Sequence, residues 1–304
     1  SYFLLNYYFM QVLHGSFVAI VTPFKKNGEI DYAVLENLID WHIAEGTNGI
    51  VSVGTTGESA TLNVYEHIDA IEHTVKYVNK RIPVIAGTGA NSTQEAIDLS
   101  IEAKSKGADY TLLVTPYYNK PNQKGLIAHY EKIADSVDIG HILYNVPSRT
   151  ACDLKPETVD ILSEHKNIVG VKEAVDDMER INQLVRISQK QENFSILSGD
   201  DPTFANALKI GAHGVISVAA NIIPKIISSI CFDLLNGNED SALNLNNKYA
   251  NLYNLLFVES NPIPVKWMLF KMNLVQNHIR LPLVELDETY HEKILSELYN
   301  LKLM

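Results

Sequence analysis

The stretch Ile168-Val169-Gly170-Val171-Lys172-Glu173-Ala174 is a short apolar run that follows Lys166-Asn167 and ends on a lysine. It is too short and too β-branched for a helix and reads as a buried parallel strand. A lysine at the end of such a strand leaves a dry wall and enters whatever cavity lies beyond it. Burial disfavours an ammonium, and an amine that attacks a carbonyl has to be neutral. A lysine at the end of an arbitrary strand more often snorkels to the surface. Its chemistry therefore depends on what the rest of the chain places around it.

On both sides of this run the sequence alternates short β-branched runs with longer amphipathic ones. Strands are expected at Phe17 to Val21, Gly49 to Val53, Pro83 to Ala86, Tyr110 to Val114 and His141 to Tyr144, then the Lys172 run, Phe194 to Leu197 and Val215 to Val218. Between them lie helical patterns, one capped by Asp31, one carrying Ile68, Ile71, Val75 and Val78, and one opened by a Ser92/Glu95 capping box. Others run from about Lys124 to Val137, after Pro156, through Met178, Ile181, Leu184 and Val185, and from a start at Asp201-Pro202. Eight strand-then-helix units match a closed (β/α)8 TIM barrel, whose strands are apolar on both faces. An open doubly wound sheet is the alternative, but the chain has no Gly-rich dinucleotide turn. The expected division is an N-terminal extension over 1–10, a barrel over 11–224 and an appended C-terminal helical segment over 225–304, the last including Ala242 to Phe257 and Tyr290 to Leu301.

Composition narrows the classes. The chain is 46% hydrophobic and 20% charged, so it can bury a core, and its net charge of −11 argues against a nucleic-acid surface. Cys152 and Cys231 are too few for a disulfide framework and lack metal-ligand spacing, which fits a reducing cytoplasm. Ser1 to Met10 is aromatic and apolar but has no basic residue and no small-residue cleavage site. It makes a poor signal peptide, is too short to span a membrane and reads as an extension ahead of a natural start at Met10.

In a barrel the strand ends converge on one face, and most strands here stop at a small polar residue or glycine. Gly54-Thr55-Thr56-Gly57-Glu58-Ser59 offers free backbone N–H groups and neighbouring hydroxyls, a cradle for a small carboxylate, although it also fits an ordinary strand-to-helix turn. Tyr144 can place a phenol near the Lys172 amine and move protons, or be a packed aromatic. Arg149, in Val146-Pro147-Ser148-Arg149-Thr150, can bind a second carboxylate through two parallel hydrogen bonds or be solvated on its loop.

These stretches, with Pro116-Tyr117-Tyr118, Ser198-Gly199-Asp200-Asp201 and Asn261-Pro262-Ile263-Pro264, occur in the order and spacing of the pyruvate-dependent class I aldolase/lyase family, which the chain resembles from about Gly15 through its C-terminal helices. Within that family the resemblance is to members that condense pyruvate with aspartate 4-semialdehyde in diaminopimelate and lysine biosynthesis. It implies that Lys172 forms the imine with pyruvate, that Tyr144 donates and accepts protons, and that Thr55 relays between Tyr144 and Tyr118. Tyr118 is implied to reach the neighbouring active site across a tight dimer interface. Thr56 with Thr55 would hold the pyruvate carboxylate, Gly199 and Ile216 would line the pocket, and Arg149 would bind the semialdehyde's carboxylate. No metal or organic cofactor, nucleic acid or membrane is implied. The implied assembly is a homotetramer, a dimer of dimers, in the cytoplasm. A feedback site for lysine would match Ser59, Ala60, His67, Asn91, Glu95 and Tyr117. Val64 stands where lysine-sensitive bacterial members carry a histidine, so weakened inhibition is expected. The rival within the family is an N-acetylneuraminate lyase or 2-keto-3-deoxy-sugar acid aldolase, and the rival outside it is a non-catalytic barrel that binds a keto acid.

Overall fold

The structure, a computed structural model, describes residues 12–304. The expected extension over Ser1 to Met10 lies outside the described residues. Eight parallel strands close into a barrel in chain order: β1 (Gly15–Ala19), β2 (Gly49–Ser52), β3 (Val84–Gly87), β4 (Tyr110–Val114), β5 (Gly140–Asn145), β6 (Ile168–Glu173), β7 (Ser195–Ser198) and β8 (Gly214–Ser217). β1 pairs with β8 through Gly15 and Gly214, which closes the sheet and leaves no edge strand. That pairing explains why β1 begins two residues before the expected Phe17. The backbone comes close here, since a Cβ on Gly214 would run into the Gly15 carbonyl oxygen.

The barrel has two apolar layers. Residues such as Phe17, Val51, Leu112, Ile142 and Leu197 fill the interior, while the other strand faces pack under the surrounding helices. The helices are set by their ends. Asp31 accepts the Val34 N–H at 3.2 Å to open Tyr32–Ala44. Asn63 and Glu66 form a reciprocal capping box on Val64–Val78. The box expected at Ser92 is half present: Ser92 accepts the Glu95 N–H at 3.4 Å, with no return contact from the Glu95 side chain.

Two expectations are corrected, the helix start at Asp201 and the Arg149 loop. Asp201 does not start a helix, because its carboxylate accepts from the Ser217 hydroxyl and the Val218 and Ala219 N–H groups across β7 and β8, and the helix begins at Phe204. The helical character expected over Ala242 to Phe257 is present as two helices, Glu239–Asn247 and Ala250–Leu255, separated near Lys248. The Arg149 loop contains one helical turn, Pro147–Thr150, with proline at its first position where the missing N–H costs nothing. Helix Pro224–Leu235 packs beside β1 and the helix Phe204–Lys209, closing the outer ring. Among the described residues no helix is long and apolar enough to cross a membrane.

Candidate active site

The pairing of β5 with β6 decides the geometry. His141 pairs with Ile168, but a register irregularity follows and Ile142 pairs with Gly170, so Tyr144 faces Lys172 and Asn145 faces Glu173. Without that one-residue shift Tyr144 would lie opposite Val171. Bulges near active sites re-aim side chains in this way. As a result the Lys172 amine sits 4.1 Å from the centre of the Tyr144 ring, and the lysine is 7% exposed. Among the described residues no carboxylate forms an ion pair with it.

Beyond the strand ends lies a cavity of about 680 Å³, of a size suited to a small-molecule ligand. Lys172, Tyr144, Thr55, Thr56, Arg149 and Gly199 all line it. Glycine at 199 leaves room for the lysine, since a Cβ there would approach Lys172 Cε to 2.9 Å and make its side chain shift. Ile216 is not on the cavity wall, because its side chain belongs to the apolar layer inside the barrel. Tyr118 is not on the wall of its own chain's cavity either. It is 90% exposed with φ +76°, on a turn tied to Asn91 by the Asn91 amide on the Tyr117 carbonyl and the Asn119 amide on the Asn91 carbonyl.

On the outer face of the same strand ends lies a second polar group. The Asn145 amide donates to both Glu173 oxygens at 3.0 and 3.2 Å and to Asp153, while its carbonyl oxygen accepts the Leu154 N–H. Arg180 grips Asp153 at 2.7 Å and stands 3.8 Å from Glu173. Burial pushes the Glu173 carboxyl up to about 7, against the opposing pull of Arg180. Burial likewise raises Asp200, on the cavity wall and held by the Thr203 hydroxyl at 2.6 Å.

Asn261, within the stretch Asn261-Pro262-Ile263-Pro264, is a further residue of the site that the sequence does not single out. Its amide donates to Thr56 Oγ1 at 2.9 Å, its backbone carbonyl accepts from Arg149 at 3.3 Å, and it lines the cavity. Local signal was weak, because the partners lie 205 and 112 residues away. A second cavity, of about 370 Å³, is lined by Ser59, Ala60, Val64, His67, Glu95 and Tyr117. It shares Thr55 and Arg149 with the first. Asn91 is not on its wall.

A closed (β/α)8 barrel with a buried amine at the end of its sixth strand, set over a tyrosine ring, has the architecture of the class I aldolase-type lyases. Residues 12–300 match the dihydrodipicolinate synthetase family, and the chain belongs to that family. The 4-hydroxy-tetrahydrodipicolinate synthase of Saccharophagus degradans is 52% identical over 283 residues, covering 93% of this chain and 97% of the relative. The crystal structure of the chloride-inhibited dihydrodipicolinate synthase of Acinetobacter baumannii, complexed with pyruvate, superposes with a TM-score of 0.93 at 50% identity over 96% of this chain and all of that one. The dihydrodipicolinate synthase of Cyanidioschyzon merolae, with lysine bound, gives a TM-score of 0.92 at 36% identity over 96% of this chain and 99% of that one.

Proposed function

We propose that the chain catalyses the 4-hydroxy-tetrahydrodipicolinate synthase reaction, the condensation of pyruvate with aspartate 4-semialdehyde on the diaminopimelate route to lysine. The observation that carries this reading is the Lys172 amine held over the Tyr144 ring in a cavity that Thr55, Thr56 and Arg149 also line. Lys172 adds to the pyruvate ketone and, with loss of water, forms a protonated imine. That cation accepts the electron pair released when a methyl proton leaves, which gives an enamine. The enamine carbon bonds to the aldehyde carbon, and the aldehyde oxygen gains a proton. The substrate's amino group then attacks the imine carbon and displaces Lys172 as the ring closes. Tyr144 is the proton donor and acceptor, with Thr55 relaying to Tyr118 of a neighbouring subunit. Thr55 and Thr56 hold the pyruvate carboxylate, Arg149 holds that of the semialdehyde, and Gly199 leaves room for the amine. Ile216 supports the pocket from beneath.

The assembly we propose is a homotetramer built as a dimer of dimers. Its support is the exposure and left-handed backbone of Tyr118, which suit a side chain aimed at a second subunit. The cytoplasm is the proposed compartment, supported by the two buried free thiols, Cys152 and Cys231. The second cavity is proposed to take lysine through Ser59, Ala60, His67, Glu95 and Tyr117, with Asn91 acting through its hold on Tyr117. Lysine bound to the Cyanidioschyzon relative supports that choice. Arg149 on the cavity wall favours a short substrate with a second carboxylate over a sugar acid.

The test is intact-protein mass after incubation with pyruvate and borohydride, followed by a coupled assay with aspartate 4-semialdehyde. A pyruvate-sized adduct that is absent from Lys172→Ala, together with turnover, is the expected result. An adduct without turnover would favour a sugar-acid aldolase, and no adduct would return Lys172 to a structural role.

A further inference from the structure

The turn that carries Thr55 and Thr56 ends on Glu58, a non-glycine residue at φ +59° whose carboxylate is buried. Glu58 Oε2 accepts from Lys266 Nζ at 2.5 Å, and Oε1 accepts the Arg280 backbone N–H at 3.0 Å. Lys266 also donates to the Thr22 carbonyl at 2.9 Å and stands 4.3 Å from the centre of the Phe24 ring. The Arg280 guanidinium stands 4.5 Å from the same ring and grips both oxygens of Glu66 at 2.6 and 2.8 Å. Lys266 lies in the helix Ile263–Lys271, and Asn261, just ahead of that helix, holds Thr56. One short piece of the C-terminal segment therefore grips the turn at two points, Thr56 and Glu58. Gly57 between them has no slack, because a Cβ there would meet Val53 Cα at 3.0 Å, and the Thr22 hydroxyl donates to its carbonyl at 2.7 Å.

We infer that Lys266 and Glu58 are positioning residues for the proposed pyruvate carboxylate cradle: their buried ion pair fixes the turn so that Thr55 and Thr56 face the cavity. The inference rests on the reading of that turn given above. A buried ion pair is a weak device for stability, since an apolar or neutral pair of the same volume serves about as well, whereas removing one partner strands a charge. What the pair supplies is direction. Nζ is placed by three groups at once, the Thr22 carbonyl, Glu58 and the face of Phe24, and the carboxylate is shared between two chain segments. Asn261, Lys266 and Arg280 of the C-terminal segment thereby support the substrate site.

The test compares the wild-type chain with Lys266→Met, Glu58→Gln and the double variant. Two quantities are read: thermal midpoint, and the pyruvate concentration that half-saturates the borohydride-trapped adduct. Each single variant is expected to lower the midpoint and to raise half-saturation by about tenfold or more, as a displaced binding group does. The double variant, with no stranded charge, is expected to recover the midpoint but not the half-saturation, while the KM for aspartate 4-semialdehyde stays near that of the wild type. Recovery of both quantities in the double variant would overturn the inference and make the pair purely structural. Unchanged half-saturation in Glu58→Gln, which preserves shape and answers the question even where the Lys266 variants fail to fold, would also overturn it. Failure of the reading of the site is a different result, the absence of any adduct on wild-type Lys172.

Discussion

Replacing Glu173 by glutamine should change how stability depends on pH. Glu173 is 1% exposed, and burial lifts its carboxyl from an ordinary 4.5 to about 7. A folded chain that holds this proton more tightly than the unfolded chain loses stability as pH rises from about 4.5 through about 7, and the cost is fully present above that range. Each tenfold change in proton affinity is worth about 1.4 kcal/mol, so the rise from 4.5 to about 7 costs on the order of 3 kcal/mol. Glutamine does not titrate, and one of its atoms can still accept from the Asn145 amide and the Val175 N–H as Oε1 does. At pH 5 the two proteins should therefore agree to within about 1 kcal/mol, the worth of one altered hydrogen bond. By pH 8 Glu173→Gln should be the more stable by roughly 2 to 3 kcal/mol. Urea unfolding followed by tryptophan fluorescence, at one fixed protein concentration and at half-unit steps from pH 5 to 8, measures this difference. Parallel pH profiles, or a variant that loses ground as pH rises, would show that Arg180 and the Asn145 amide keep Glu173 ionised in the folded chain and would refute the argument.

Other expectations concern the site itself. Gly199→Ala would bring a methyl group against Lys172 Cε and Cγ, at 2.9 and 3.0 Å before any shift. Imine formation should slow by about ten- to a hundredfold with little change in thermal midpoint, read from the rate of borohydride trapping; wild-type trapping rates would mean that Lys172 reaches pyruvate in another rotamer. Lysine should give a calorimetric binding signal but weak inhibition, and Val64→His should strengthen inhibition, because Val64 lines the second cavity while remaining 56% exposed. Full inhibition of the unaltered chain at micromolar lysine, or no binding heat, would sink that assignment.

Much of the barrel was legible because its signals are local. Tyr110 to Val114 was bounded correctly from its β-branched run, and the other strands shift by one or two residues at their ends. Those shifts come from ladder partners on distant strands. Helical character over Ala242 to Phe257 was legible too, but its division into Glu239–Asn247 and Ala250–Leu255 was not, since apolar periodicity continues across Lys248 and Tyr249. At the site, position at a strand end made Lys172 and Tyr144 candidates without choosing between a chemical and a structural reading, and the roles of Thr55, Tyr118 and Gly199 came only with the family resemblance. Asn261, Lys266 and Arg280 were not candidates, because each acts on a turn roughly 200 residues earlier.

The sequence by itself determined the number and order of the strands, the residues at their ends and the presence of an amine among them, because alternation, apolar runs and turn chemistry act between near neighbours along the chain. Tertiary structure alone decided that Tyr144 stands beside Lys172. That depends on a one-residue irregularity in the β5–β6 ladder, and a slip of one residue turns each side chain to the other face. Closure also brought the C-terminal helix onto the Thr55–Glu58 turn. A contact between groups so far apart in sequence is set by the packing of the whole barrel, for which no short stretch carries the information.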